Sequence, residues 1–396
     1  MTTHKPILII GAGISGLCLA QALHKSSIPF RIYERDAIFN QRAQGYRVRI
    51  NSVGIAALTQ CLPPELFERL KACCAHTTKG MGAKWHLDGV SGGESAGPKL
   101  GPKGPQGGPQ AGSQAESQAK LGEKKMGPGG PQDEDVEPLN ADRTVLRGIL
   151  MRGLEGYVEF GKEFEGFETT AVGVRVRFSN DSEVEGCLLV GADGAGSRVR
   201  KQLVPGFEVV DTEGRFVYGK TVLTPEFRDN EVRNELPEDY IYWVLVARKD
   251  KIEMDDVELL RLSGEDSAAL TRELTSGWYS SFHALFDLQN AAQTSVIRIV
   301  SARPDLPTWD STKNVTLIGD AAHVMSPSAG IGATTALRDA ATLSQVLAEE
   351  GSQVEKVGKY EGLMRAYARD ALMRSSMGGK HMFGMRPFEE LKPVPV

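Results

Sequence analysis

The chain has 396 residues, enough for two domains or one large one at roughly 100–200 residues per domain. Hydrophobic residues make up 41% and charged residues 24%, which excludes wholesale disorder and a collagen-like architecture. With 46 Lys plus Arg against 51 Asp plus Glu the formal net charge is −5, and nothing in that balance points to nucleic acid or a basic membrane-facing surface.

The first predicted element is the apolar run Ile7–Ile10, read as a strand buried on both faces of a parallel sheet. It is too short for a signal-peptide core. Gly11 to Gly16 forms a turn, Ile14 to Leu23 a helix ended by Ser26-Ser27-Ile28-Pro29, and Phe30–Glu34 a second strand. Met81 to Leu87 reads as sheet-like. Residues 91–131 follow, with 12 of the 44 glycines, 6 of the 20 prolines and no aromatic residue. Such a stretch cannot bury enough apolar surface to offset its ordering entropy, so it is expected to be a disordered insertion within a domain.

Sheet and helix signals then resume. Arg143 to Leu154 predicts a helix, and Val172, Val174, Val176 and Phe178 alternate as in a strand. Cys187–Val190 is a buried-strand run ending at Gly191-Ala192-Asp193-Gly194. Residues 206–308 mix strand and helix character. Their apolar stretch Tyr240 to Ala247 falls far short of the ~20 residues of a membrane span. Val315–Ile318 predicts one more buried strand, followed by a helix over Gly332–Glu350 and a last one near Val354 to Ser376. The five cysteines form no CxxC pair and no zinc-like cluster with histidine. Their odd number suits a reducing compartment, and a cytoplasmic setting is expected.

Three segments carry chemistry. Gly11-x-Gly13-x-x-Gly16 follows a strand and opens a helix. Gly11 allows the tight turn, Gly13 the approach of a pyrophosphate, and Gly16 the close packing of helix on strand. Glu34, at the end of the next strand, is placed to bond a ribose hydroxyl. This motif serves NAD and FAD alike. The second segment is Gly191-Ala-Asp193-Gly-Ala-Gly-Ser197-Arg-Val-Arg200, and the third is Gly319-Asp320-Ala-Ala-His323-Val-Met-Ser-Pro327 leading to Gly330 and Gly332. Asp320, ending a buried strand, lies at the sheet edge where α/β proteins bind ligands.

Together, in this order, the three segments resemble the single-component FAD-dependent aromatic hydroxylases, the flavoprotein monooxygenases related to para-hydroxybenzoate hydroxylase, with wording nearest to fungal members. The likeness runs from about Ile7 to Arg374. It implies an α/β fold: a Rossmann-like FAD-binding domain (1–90, 134–205 and 309–376) with a mixed-sheet substrate domain inserted (206–308) and C-terminal helices. Residues 91–133 are then the insertion and 377–396 a tail. The resemblance implies FAD as cofactor, NADPH or NADH as transient co-substrate, and no metal. It places Asp320 on the ribityl chain, and Gly332 and Ala333 at the helix start beside the flavin ring. It further places Arg143 on FAD, Asp193, Ser197 and Arg200 in a motif supporting FAD and NADPH binding, and Arg42 and Gly45 in a loop near the flavin. His323 is expected to be structural, with a catalytic role the alternative. A solvated first-turn arginine is the alternative for Arg143, a turn or helix cap for Asp193 and Asp320.

The implied reaction is hydroxylation of an aromatic or polyketide-derived small molecule by NAD(P)H and molecular oxygen. Arg200 and Tyr218 are the candidates for assisting deprotonation of a phenol. The chain departs from the family in its 91–131 insertion and in the short, charged stretch Glu226 to Glu238, where relatives carry further strands of the substrate sheet. An FAD-dependent dehydrogenase or epoxidase, or a flavin-binding protein with impaired catalysis, therefore stays open as an alternative.

Overall fold

The computed structural model describes residues 5–39, 47–74, 136–222, 240–311 and 314–395. The insertion 91–131, the sheet-like stretch Met81 to Leu87, Arg42 and Gly45 lie outside the described residues.

Thirteen strands are described, here β1 to β13: Ile7–Ile10, Phe30–Glu34, Arg47–Ile50, Leu139–Asp142, Val158–Phe160, Phe164–Thr170, Gly173–Phe178, Glu183–Gly186, Leu188–Gly191, Val209–Val222, Tyr240–Arg248, Ser295–Ala302 and Val315–Leu317. Five of them form a parallel sheet in the order β13-β9-β1-β2-β5. Every residue of β1, β9 and β13 is buried. That is why these strands read as unbroken apolar runs in place of an alternation. The strand order reverses direction about β1. The crevice at the carboxyl ends of β1 and β9 is therefore a topological switch point, where open α/β sheets bind ligands. Helices Ile14–Lys25 and Gly332–Ala348 contribute Leu17, Leu19, Leu23, Leu337 and Leu343 to the same core.

A second, antiparallel sheet has the order β11-β10-β12. Its long strand β10 is irregular between Asp211 and Arg215, where Glu213 has φ 64°. Arg215, with no exposed surface, is held there by the carboxylates of Asp211 and Asp256 at 2.8 Å. Removing one member of such a buried set leaves a charge uncompensated, at a cost of about 3–5 kcal/mol. One face of the sheet packs Val217, Trp243 and Leu245 against Phe286 and Trp278. Trp243 packs against Gly219, where a Cβ would come within 2.1 Å of the indole ring.

The opposite face of this sheet is covered by the C-terminal segment. The last long helix runs Gln353–Phe383, past the end expected near Ser376. Gly378 and Gly379 read locally as helix breakers, but here they permit close packing. A Cβ at Gly378 would sit 3.0 Å from the Ser328 backbone, and one at Gly379 would sit 2.9 Å from Met385 Sδ. Gly384 then ends the helix at φ +69°. Phe383, Met385, Phe388 and Leu391 join Val210, Phe216, Tyr218 and Ile299 in one apolar cluster. The tail is pinned by Asp211 N–H to Lys392 O (3.0 Å) and Val394 N–H to Val209 O (2.8 Å).

Candidate cofactor site

The three glycine-bearing segments emerge at the carboxyl ends of three neighbouring strands, β1, β9 and β13. Gly11 has φ +106°, and a Cβ on it would meet Ala192 O at 2.4 Å. A Cβ on Gly16 would meet Gly11 O at 2.1 Å. Protein packing alone thus demands both glycines. Gly13 is different: the nearest atom to its imagined Cβ is 4.0 Å away. It is also the N-cap of helix Ile14–Lys25, with no side chain capping the free N–H groups. An open, uncapped helix N-terminus flanked by glycines is chemically suited to a pyrophosphate.

Glu34 is 7% exposed, and its two carboxylate oxygens accept the N–H of Ala12 (2.8 Å) and of Asp36 (3.1 Å). Arg147 donates through Nε and Nη2 to Ala12 O at 3.2 and 3.0 Å, with its guanidinium 4.8 Å from the centre of the Phe39 ring. Sequence reasoning missed Arg147. The available signal was its place four residues after Arg143 on helix Arg143–Met151, one turn along the same face. Arg143, partly buried, opens that helix, and Asp142 caps it by accepting Thr144 N–H at 2.8 Å.

In the second segment the side chains are engaged with the protein itself. Asp193 accepts Ser197 Oγ–H at 2.5 Å and the N–H groups of Arg198 and Val199 at 2.8 and 3.3 Å. Burial pushes its carboxyl above the ordinary range, partly opposed by the Ser197 hydrogen bond. Arg200 is 2% exposed and donates to Asp320 O (3.2 Å), Ala321 O (3.0 Å) and Ala195 O (2.5 Å). It therefore ties the second segment to the third. Tyr218 is 8% exposed, in the cluster beneath the tail, stacked on Tyr242 at 6.3 Å between ring centres.

In the third segment Gly319 turns at φ +63°, and Asp320 is exposed while Gly319, Ala321 and Ala322 are buried. His323 has no exposed surface and shares Asp339 Oδ2 at 2.6 Å. Burial alone would lower the His323 pKa, but the charge and hydrogen bond of Asp339 outweigh it and raise it above the ordinary value. Gly332 and Ala333 open helix Gly332–Ala348, whose first turn has no acidic residue and no side-chain cap.

The second sheet reaches this region through polar contacts, among them the Ala302 N–H to Val324 O (2.7 Å) and a pair that meets on Asp142. Lys220 donates to Asp142 Oδ2 at 2.7 Å, Tyr240 Oη to the same oxygen at 3.1 Å, and the ammonium lies 4.5 Å from the Tyr240 ring centre. The contact brings β10 and β11 against the residue that precedes Arg143. Among the described residues no group of three His, Cys, Asp or Glu could hold a metal ion.

This geometry defines a dinucleotide-binding protein of the doubly wound class with an antiparallel second sheet. Comparison with known proteins specifies it further. Residues 288–375 match an FAD binding domain and residues 9–63 an NAD(P)-binding Rossmann-like domain. The dual O-methyltransferase/FAD-dependent monooxygenase elcB of Phaeosphaeria nodorum is 35% identical over 98% of this chain and 47% of its own length. Its counterpart CTB3 of Cercospora beticola is 33% identical over 96% of this chain and 47% of its own length. A crystal structure described as an FAD-containing monooxygenase of Photorhabdus luminescens superposes with a TM-score of 0.70 at 28% identity, covering 95% of this chain and 98% of that one. The chain carries FAD-binding and Rossmann-like domain matches and is similar over nearly its whole length to FAD-dependent monooxygenases, the flavoprotein hydroxylases. It spans about half the length of the curated relatives it matches.

Proposed function

We propose that this chain is an FAD-dependent monooxygenase that uses NAD(P)H and molecular oxygen to hydroxylate an aromatic, polyketide-derived small molecule in the cytoplasm. The observation that carries the reading is the convergence of the three glycine segments on the carboxyl ends of β1, β9 and β13. A discontinuous FAD-binding unit (1–90, 134–205 and 309–376) and a substrate unit (206–308) are part of the same proposal. The free state of the cysteines fits a reducing setting.

The residues present fit FAD. The open helix N-terminus at Gly13 would hold the pyrophosphate, Glu34 a ribose hydroxyl, and the exposed carboxylate of Asp320 the ribityl chain. Gly332 and Ala333, at an uncapped helix start, would present N–H groups and a positive dipole to the ring's pyrimidine edge. Arg143 lies where the second sheet meets the helix and is the further cofactor contact. FAD, when bound, supplies the electron transfer and the oxygen activation. The protein's own contribution is to bind, to orient, and to exclude water behind the second sheet.

Arg200 and Tyr218 fit positioning better than proton transfer. Arg200 spends its donors on backbone carbonyls, and Tyr218 packs within the sheet cluster. The alternative reading, a flavin-binding protein with impaired catalysis, has one specific support. The match to elcB extends over 464 positions against 396 residues here, so the relative carries segments this chain lacks. Purified protein separates the two. Catalysis requires a bound flavin absorption band and phenol-stimulated NAD(P)H oxidation. A flavin band without any stimulation across a panel of phenols and hydroxynaphthalenes would leave only the binding reading.

A further inference from the structure

Two turns into helix Gly332–Ala348, Asp339 is fully buried and collects three donors from three different elements. Its Oδ2 accepts the Gly319 N–H at 2.6 Å and bonds His323 Nε2 at 2.6 Å, and its Oδ1 accepts the Tyr367 hydroxyl at 2.7 Å. The donors come from the turn after β13, the short helix Asp320–His323 and the long helix Gln353–Phe383. Asp339 has only acceptor lone pairs to offer when ionised, and all three neighbours meet it as donors. Among the described residues Asp339 is the hydrogen-bond partner of the His323 imidazole.

We propose that Asp339 is a positioning residue of the cofactor site: through Gly319, His323 and Tyr367 it fixes the Asp320 carboxylate relative to the N-terminus of helix Gly332–Ala348. The inference rests on the flavin reading above. Its physical basis is that a side chain carried on the helix starting at Gly332 bonds both Gly319 and His323, the residues that flank Asp320. Gly319 lies directly before Asp320 and has φ +63°, a conformation in which an added Cβ would stand 2.7 Å from Ser15 Oγ. The turn is therefore restricted by sterics on one side and by a charge-assisted hydrogen bond on the other. Asp320 is the exposed residue in this buried stretch, so its direction is set by that turn and by the His323 anchor three residues on. Asp339 itself rides on the helix that starts at Gly332. A displacement of either end changes the spacing between the sugar-chain carboxylate and the ring-facing helix terminus.

The test is FAD titration of apo-protein by flavin fluorescence, with the melting temperature of each apo variant measured alongside. Asp339→Asn keeps an oxygen for the Gly319 N–H and is expected to weaken FAD binding about 10-fold, whereas Asp339→Leu leaves three buried donors unpaired and should weaken it about 100-fold or more. Tyr360→Phe is the control: its hydroxyl donates to Leu317 O at 2.9 Å, on the strand that leads into Gly319, and not to Asp339. It should lower the melting temperature while keeping the FAD Kd within about twofold. If Asp339→Leu does not fold, Asp339→Asn and Tyr367→Phe carry the comparison, each with weakened FAD binding expected. Wild-type FAD affinity in the folded Asp339 variants, with only the melting temperature lowered, would overturn the inference alone. A wild-type protein that binds no FAD would overturn the flavin reading as well.

Discussion

Glu34 and Arg147 hold Ala12 from opposite sides: the carboxylate accepts its N–H at 2.8 Å and the guanidinium donates to its carbonyl at 3.0 Å. The two groups come from the end of β2 and from helix Arg143–Met151, and between them they fix the loop that opens helix Ile14–Lys25. The phosphate-facing turn is thus held by charge-assisted hydrogen bonds as well as by its glycines.

Arg147→Met should therefore weaken the loop without changing its glycines. The buried Ala12 carbonyl would lose the two Arg147 donors, a loss of about 1.5–3 kcal/mol for hydrogen bonds to a charged group. Urea unfolding of the apo-protein is expected to show that loss, together with a rise in FAD Kd. Unchanged unfolding would remove Arg147 from this account.

Gly13 and Gly11 should separate binding from folding. With no atom nearer than 4.0 Å to the new methyl, Gly13→Ala is expected to fold with a midpoint near wild type and to bind FAD at least about 10-fold more weakly. Gly11→Ala, at φ +106° and 2.4 Å from Ala192 O, should instead destabilise the fold by at least about 1–3 kcal/mol. Paired unfolding curves and FAD titrations check the contrast.

Asp142 gives a pH dependence of definite sign. Burial opposes its ionisation, but the hydrogen bond and charge of Lys220, with the capping N–H groups, hold its pKa below the ordinary value. A carboxylate depressed in the folded state contributes stability above its unfolded pKa, about 3.9, and loses it as pH falls through the lower folded value. Asp142→Asn should accordingly cost about 1 kcal/mol near neutral pH, after allowance for solvent screening of a partly exposed pair. The difference from wild type should shrink as pH falls below about 4. Melting temperatures from pH 6 downward test this, and a constant difference would contradict it.

Asp320→Ala removes an exposed side chain for which no hydrogen bond is described, so the melting temperature of the apo-protein should stay within about 1–2 °C of wild type. Flavin retention should be lost. Wild-type flavin content in that variant would count against the role proposed for Asp320.

Much of the nucleotide-binding sheet was legible because its strands are buried on both faces and so appear as short apolar runs. Ile7–Ile10 and Phe30–Glu34 were read with their observed bounds, and the last sheet strand, expected at Val315–Ile318, forms at Val315–Leu317. The helix from Gly332 was read to within two residues of its observed end at Ala348. The glycine segments were legible as motifs because glycine is required where backbone meets backbone, as at Gly11 and Gly16. What local pattern could not show were partners distant in sequence. Arg147 lies 135 residues from Ala12, and Asp339 gains its meaning only when Gly319, His323 and Tyr367 are brought to it. The docked tail was missed for a similar reason: Phe388 and Leu391 pack on a sheet formed by residues more than eighty positions earlier.

The most direct measurement of the central claim is product analysis under labelled oxygen. The FAD-loaded protein would be supplied with NADPH or NADH, a panel of phenols and hydroxynaphthalenes, and ¹⁸O₂. The account predicts substrate-dependent NAD(P)H oxidation and a product carrying a single ¹⁸O atom in a new hydroxyl group. Turnover that yields product without ¹⁸O would contradict it.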